Sequence, residues 1–173
     1  LGTRLRVDPE LIMPNPSLSI LGGGIVASGW NNVRGDTISR MYFEALSKKY
    51  RFRLDAPIRD LPEEARKVIL YGTGGEKLTL HYDQQRGKGT LYQPFEGVAN
   101  NLERRYRETQ SPAMRAEIEQ CMAETPCPDC GGRRLNPKTL SCKVAGYSID
   151  EMCAMEFSKL VKVLQTIEDP RAK

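Results

Sequence analysis

Between residues 76 and 109 the chain reads EKLTLHYDQQRGKGTLYQPFEGVANNLERRYRET. Apolar and polar residues alternate over residues 76–82 and again over residues 90–92, which predicts two β-strands. The segment between them, residues 83–89, carries glycine and basic residues, and it predicts the tip of a β-hairpin. After the second strand, apolar residues recur at helical spacing, so a helix is predicted to about residue 109. A hairpin followed by a helix indicates a mixed α+β fold.

The segments on either side of this stretch predict further helices and make the chain helix-rich. Helix starts are indicated by Thr37 before an apolar stripe at helical spacing, by Pro62 before two carboxylates, and by Ser111 before Pro112. The predicted helices cover residues 37–49, 62–72, 111–124 and 157–167, short helical segments follow Asp8 and Ser148, and one short strand is predicted over residues 141–144.

The chain is predicted to contain two parts. Residues 10–118 hold most of the helices and the hairpin, and residues 119–173 form a separate unit that begins with a Cys-x-x-Cys motif. Residues 1–9 are assigned to neither part. The absence of an initial Met suggests a piece cut from a longer protein.

Composition and charge limit the class of protein. The chain has 173 residues, of which 39% are hydrophobic and 28% charged, which suffices for one medium-sized domain or one domain with part of another. A net charge of +4 permits a polyanionic partner without requiring one. No apolar run approaches the roughly 18 residues of a transmembrane helix, and no secretory signal is evident. We therefore expect a cytoplasmic protein that does not bind membranes.

Two of the five cysteines lie in the sequence Cys127-Pro-Asp-Cys130-Gly-Gly, which is typical of a zinc knuckle. One knuckle supplies two ligands, whereas structural zinc usually takes four. Cys142 and Cys153 could complete the site, but they stand alone in a predicted strand and a predicted helix, where a small buried residue is the more common interpretation. A redox motif is favoured least, because no strand followed by a long helix frames the pair.

Neither a nucleotide site nor a catalytic site is predicted for this chain. None of its glycine-rich segments matches the Gly-x-x-x-x-Gly-Lys-Ser/Thr loop that cradles phosphates, so the chain is not expected to bind ATP. The only histidine, His81, lies at a strand position, and no spacing suggests a Ser/His/Asp or Cys/His arrangement. We therefore expect no enzymatic activity from this chain by itself.

Basic residues suggest a surface that could contact nucleic acid. On the helix that follows the hairpin, Arg104, Arg105 and Arg107 lie largely outside the apolar stripe, and Arg86 and Lys88 are at the hairpin tip. Such residues can neutralise backbone phosphates without reading bases. The competing interpretation is a solvated helix face with intrahelical ion pairs, and composition alone does not separate the two.

Several short motifs, in order along the chain, carry a family resemblance. They are Val7-Asp-Pro-Glu-Leu-Ile12, the string Phe95-Glu-Gly-Val with Asn101-Leu-Glu-Arg-Arg-Tyr-Arg-Glu-Thr109, and Cys127-Pro-Asp-Cys-Gly-Gly-Arg-Arg-Leu135. Together they resemble the UvrA family, the DNA-damage-sensing ATPases of bacterial nucleotide excision repair. Because the motifs occur in the same order, the resemblance covers essentially the whole chain.

This resemblance implies a role for each part of the chain. Residues 1–9 would end an upstream zinc segment, residues 10–118 would form the insertion domain, and residues 119–173 would return into signature domain I. The chain would be a non-catalytic part that contacts duplex DNA. The longer protein would be an ABC-type ATPase that binds ATP elsewhere, dimerises, and loads UvrB through a domain absent here.

The resemblance also implies that the zinc at Cys127 and Cys130 is shared with a cysteine pair upstream of this chain. Two alternatives stay open. The chain could be the same region of a UvrA-like paralogue linked to drug tolerance, or a zinc-knuckle module that binds a protein partner and no DNA.

Overall fold

The computed structural model describes residues 2–84 and 87–168 of the chain. It divides into two compact units, a larger one formed by Leu5–Ala123 and a smaller one formed by Leu1–Arg4 together with Glu124–Lys173. Within the described ranges, no helix is long and apolar enough to cross a membrane.

The elements are helices and short strands grouped along the chain, which confirms the α+β prediction. In chain order they are β1 (Thr3–Val7), α1 (Pro9–Ile12), α2 (Ile38–Tyr50), a 3₁₀ turn (Ile58–Asp60), α3 (Glu63–Tyr71), β2 (Lys77–Gln84), β3 (Gly87–Pro94), α4 (Val98–Glu108), α5 (Pro112–Glu119), β4 (Met122–Pro126), α6 (Pro137–Leu140), α7 (Ile149–Cys153) and α8 (Phe157–Gln165).

Side-chain caps explain where several helices begin. The Asp8 carboxylate accepts a hydrogen bond from the Glu10 amide at the start of α1, and the Thr37 hydroxyl accepts one from the Arg40 amide at the start of α2. Such caps satisfy amides that have no partner within the helix. At α7, the Ser148 hydroxyl and the Glu151 carboxylate form a capping box. These helix starts could be predicted because the capping residues are local in sequence.

The hairpin is confirmed, with strands longer than predicted. β2 and β3 pair antiparallel from Lys77 opposite Pro94 to Gln84 opposite Gly87. Leu78 and Leu80 are each 2% exposed, whereas the intervening Thr79 is exposed, so one face of the ribbon packs on the core. Burial of alternate side chains fixes the register of the strand.

An aromatic cluster lies at the centre of the larger unit. The Trp30 ring contacts Tyr42, Phe43 and Phe95 edge-on, with centroid separations of 6.0, 5.9 and 5.3 Å. Around it, α2 packs on α3 and β2, and α4 packs on α3 and α5. This core holds α2, α4 and the hairpin in fixed positions.

Two glycines allow the end of α3 to pass closely by the start of α4. Gly72 and Gly97 have φ angles of 87° and 91°. A Cβ atom at Gly72 would collide with the Glu96 and Phe95 carbonyl oxygens, and one at Gly97 would collide with the backbone of residues 70–72. Both positions therefore require glycine because of conformation and because of space.

The sequence did not predict strands β1 and β4, which pair with each other. The Asp8 amide donates to the Cys121 carbonyl and the Cys127 amide donates to the Gly2 carbonyl, both at 2.9 Å, which gives an antiparallel pairing. The helix predicted over residues 111–124 is too long, since α5 ends at Glu119 and β4 begins at Met122.

The strand predicted over residues 141–144 is wrong. Ser141 ends the short helix α6, and the Cys142 amide donates to the Thr139 carbonyl within a turn. Only an isolated bridge between Val144 and Tyr147 remains. The local helix start at Asn136-Pro137, whose amide side chain caps α6, overrides the β-type pattern.

Candidate nucleic-acid interface and cysteine pair

Arg104 lies on α4 between two carboxylates. Its Nε donates to Glu96 Oε1 at 2.8 Å and its Nη1 donates to Glu108 Oε2 at 2.7 Å. The hydrogen bond from Arg104 is the main reason why the pKa of Glu96 lies below its usual value. The positive charge of Arg104 is therefore offset locally, which weakens its attraction for a phosphate.

Arg105 is half-buried and connects α4 to a distant loop. Its Nη1 donates to the Ser28 carbonyl oxygen at 2.7 Å. The approach is close enough that a Cβ at Gly29, where φ is 83°, would lie 3.0 Å from the same nitrogen. A guanidinium that satisfies a part-buried carbonyl has a structural role, and its removal would leave that oxygen unpaired.

The segment that contains these arginines also positions the tryptophan. Trp30 Nε1 donates to Asn101 Oδ1 at 3.1 Å, and Asn101 Nδ2 donates to Glu96 Oε2 at 3.0 Å. Glu96 therefore accepts hydrogen bonds from both Asn101 and Arg104. Many side chains between residues 95 and 109 thus form a hydrogen-bond network that fixes α4 within the larger unit.

Arg107 differs from the two arginines before it. It is exposed, and its Nε donates to the Glu103 carbonyl oxygen at 3.2 Å. Within the described residues its guanidinium makes no ion pair, since Glu103 Oε1 is 3.7 Å from Arg6 Nε instead. Of the three predicted arginines on α4, Arg107 presents the charge best suited to an external phosphate.

The sequence predicts the remaining basic residues, Arg86 and Lys88, at the hairpin tip, whereas Lys88 lies within β3. Arg86 lies outside the described residues. Lys88 is described only in its backbone, which pairs with Asp83 across the hairpin. The two residues remain predictions from the sequence.

A lysine-lined groove that the sequence did not predict lies between α2 and β2. It has a volume of about 390 Å³ and is lined by Ala45, Lys48, Lys49, Lys77, Leu78, Thr79 and His81. Lys49 contacts the Glu76 carboxylate. The adjacent lysines at the end of α2 were a visible signal, but only packing of α2 on β2 brings Lys77 beside them.

His81 lies at the edge of this groove in a polar environment. Its Nδ1 is 3.3 Å from the Thr90 hydroxyl of the paired strand, and its side chain is exposed. The His81 ring is therefore a surface side chain that contacts its neighbour on the paired strand.

The Cys127–Cys130 turn is shaped to stabilise the thiolate of Cys130. Hydrogen bonds from the backbone amides of Arg134 and then Gly132 lower the pKa of the Cys130 thiol, against an opposing effect of desolvation. The Cys127 thiol contributes a further hydrogen bond that acts in the same direction. Thiolates are the form in which cysteine binds zinc, so the residues present fit two positions of a zinc site.

In residues 2–84 and 87–168, other metal ligands are not assembled around this turn. Within the described residues, no group of three or more His, Cys, Asp or Glu side chains could hold a metal ion. Cys142 and Cys153 are exposed, which corrects the expectation that they are small buried residues. The Gly2 carbonyl accepts a hydrogen bond from the Cys127 amide at 2.9 Å, so the described start of the chain lies at the turn.

Comparison with known proteins gives a family for the chain. A family model described as the UvrA DNA-binding domain matches residues 8–120. UvrABC system protein A of Clostridium perfringens is 39% identical over 167 residues, which is 96% of this chain and 18% of that protein. The same protein of Brucella abortus is 43% identical over 159 residues, which is 92% of this chain and 16% of that protein.

A solved structure agrees with the fold. The crystal structure of UvrA2 from Deinococcus radiodurans superimposes with a TM-score of 0.64 over 95% of this chain and 21% of that one, at 22% sequence identity. At this identity the likeness shows the fold alone. The chain spans less than a fifth of the length of the curated relatives quoted above.

Proposed function

This chain belongs to the UvrA family, and on that premise we propose that its residues 8–120 contact duplex DNA without catalysing a reaction. The observation that carries the proposal is the match of the UvrA DNA-binding domain to these residues, which cover α1 to α5. The exposed Arg107, with no carboxylate partner among the described residues, supports it physically. Such contacts position DNA and carry no sequence information.

In this proposal, other regions of a longer protein carry out the ATP-dependent reactions. The sequence has no phosphate-binding loop, and relatives of the chain are more than five times as long. ATP binding and hydrolysis, dimerisation and the loading of UvrB are assigned to regions outside residues 1–173. The longer protein is placed in the cytoplasm, where it would act in nucleotide excision repair.

Two structural assignments accompany the proposal. Residues 10–118 form the insertion domain, and residues 119–173 return into signature domain I after residues 1–9 end an upstream segment. Cys127 and Cys130 hold a zinc ion together with two ligands from elsewhere in the longer protein. The lowered pKa of Cys130 supports this assignment.

The relatives at 39% and 43% identity are both UvrABC system protein A, and they favour that protein over a paralogue of the UvrA2 type. A zinc-knuckle module that binds only protein is the competing function. The two functions differ in whether the larger unit binds DNA.

Binding of the 173-residue chain to a labelled duplex of mixed sequence, followed by fluorescence anisotropy across a salt series, tests the proposal. We expect sequence-independent binding whose affinity falls steeply with salt, because counterions are released from the phosphates. Arg107→Ala should weaken binding and reduce the slope of log affinity against log salt by about 1. Arg104→Ala and Arg105→Ala are unsuitable probes, because both side chains make contacts within the fold.

The matched control is Arg34→Ala, which removes an exposed arginine from a loop that precedes α2. It should leave the affinity nearly unchanged. The absence of any binding at low salt would reject the DNA role and leave the protein-binding alternative.

A further inference from the structure

The groove between α2 and β2 has rigid walls. One wall is the last turns of α2, with Ala45, Lys48 and Lys49. The other wall is residues 77–81 of β2, with Lys77, Thr79 and His81. The two elements pack through side chains such as Leu78 and Leu80, which are each 2% exposed. The backbone positions of the three lysines are therefore fixed relative to one another.

The groove has an excess of positive charge. Lys48 and Lys77 make no ion pair within the described part of the chain, and Glu76 is the carboxylate that contacts Lys49. Ammonium groups brought together in this way repel one another, and a polyanion would offset that repulsion. The α4 arginines contrast with them, because Arg104 is already paired with two carboxylates.

Helix stabilisation explains only part of this arrangement. Lys48 and Lys49 lie in the last turn of α2, where cations interact favourably with the carbonyl end of the helix. Lys77 lies at the start of β2, 26 residues after Arg51, the C-cap of α2, and yet it lines the same groove. The convergence of both elements on one groove therefore needs another reason.

We propose that this groove binds backbone phosphates of duplex DNA and is a main phosphate contact of the larger unit. The inference rests on the proposed DNA role and assigns its site. Lysine ammonium groups act as point charges that bind phosphate, and the Thr79 hydroxyl adds a hydrogen-bond donor. The groove lining contains no Arg, Asn or Gln, the side chains that read base edges through paired hydrogen bonds, so binding is independent of sequence.

The test uses the 173-residue chain and a labelled duplex of mixed sequence. The double variant Lys48→Ala with Lys77→Ala should bind about tenfold more weakly at low salt, and its salt slope should be shallower by about 1.8. Alanine at residue 48 also preserves the helix. The control double variant, Lys67→Ala with Lys159→Ala, removes the same charge from exposed lysines outside the groove that make no ion pair among the described residues. It should bind almost as the unchanged chain does.

A second measurement needs no substitution. Acylation of lysine amines, read by mass spectrometry, should show that duplex DNA protects Lys48 and Lys77 and leaves Lys67 reactive. This readout decides the matter if thermal unfolding shows that the double variant is destabilised.

The outcomes separate the two proposals. If the unchanged chain binds DNA, but the groove variant binds equally well or the duplex protects neither lysine, the groove assignment is overturned and the DNA role stands. If the unchanged chain does not bind DNA at low salt, the DNA role is overturned together with the groove. Protection of Lys48 and Lys77 by an extended peptide but not by duplex DNA would also overturn the assignment.

Discussion

Arg104 and Arg105 are neighbours in sequence, but they have different surroundings. Arg104 pairs with Glu96 and Glu108, whereas Arg105 donates to the carbonyl of Ser28, 77 residues away. The sequence placed both side chains outside the apolar stripe. It could not predict their partners, because the Ser28 contact depends on where a loop folds back onto α4. The sequence therefore identifies the basic residues but not which of them keeps a charge that is free to bind phosphate.

Glu96 makes the free energy of unfolding of the larger unit depend on pH. Its pKa is below the usual glutamate value of 4.5, mainly because Arg104 donates a hydrogen bond to it. The pKa of Glu96 is lower in the folded chain than in the unfolded chain, so ionised Glu96 stabilises the fold at pH values above the unfolded-state pKa. This contribution is lost as the pH falls through the folded-state pKa.

We therefore expect Glu96→Gln to be less stable than the unchanged chain at neutral pH and to lose less stability on acidification. Urea unfolding midpoints measured between about pH 3 and pH 7 would show the two curves converging at low pH. Glu117→Gln, which changes an exposed carboxylate of α5, serves as control and should leave the curve parallel to that of the unchanged chain. A constant offset for Glu96→Gln across the range would contradict the assignment.

At the scale of elements, the helices and the hairpin could be predicted because their signals are local. The cap at Thr37 and the alternation in β2 each lie within a few residues of the element they define. β1 and β4 could not be predicted, because each is short and its partner lies about 120 residues away, as the contact of Thr3 with Glu124 illustrates. A short strand with exposed side chains, as in β1, has no alternation that reveals it.

The close approach of α3 and α4 predicts that Gly72→Ala strongly lowers the free energy of unfolding. Gly72→Ala places a methyl group against the Glu96 carbonyl and also forces alanine to a φ of 87°. The expected loss of unfolding free energy is about 3 kcal/mol or more, because strain and overpacking act together. Chemical denaturation at neutral pH measures it.

Gly74→Ala is the control for this substitution. Gly74 has a φ of 62°, but no atom lies near its missing Cβ, so only the conformational cost of about 1–2 kcal/mol is expected. Equal losses for the two variants would show that the close approach of the two helices contributes nothing.

At the scale of the whole molecule, the zinc site proposed at Cys127 and Cys130 would connect this chain to the rest of the proposed longer protein. Cys130 should be alkylated by iodoacetamide faster than Cys142 in the 173-residue chain, because hydrogen bonds to its sulfur lower its pKa and increase the thiolate fraction near neutral pH. In the longer protein, bound zinc should protect both Cys127 and Cys130 until a chelator removes the ion.

Mass spectrometry of the alkylated peptides, with the zinc content of the longer protein before and after chelation, measures both effects. The double variant Cys127→Ser with Cys130→Ser should lose the zinc. Zinc retained by that variant, or fast alkylation of Cys130 in the zinc-loaded protein, would show that the ion is held elsewhere.

The pairing of β1 with β4 brings the two ends of the larger unit next to each other. Residues Leu5–Ala123 begin and end on adjacent strands, where the Asp8 amide contacts the Cys121 carbonyl at 2.9 Å. A segment whose two ends are neighbours can be inserted into, or deleted from, a tight turn of a host protein with little displacement of the host backbone. The larger unit is therefore suited to transfer between proteins as a single cassette during evolution, and to grafting by the same route in the laboratory.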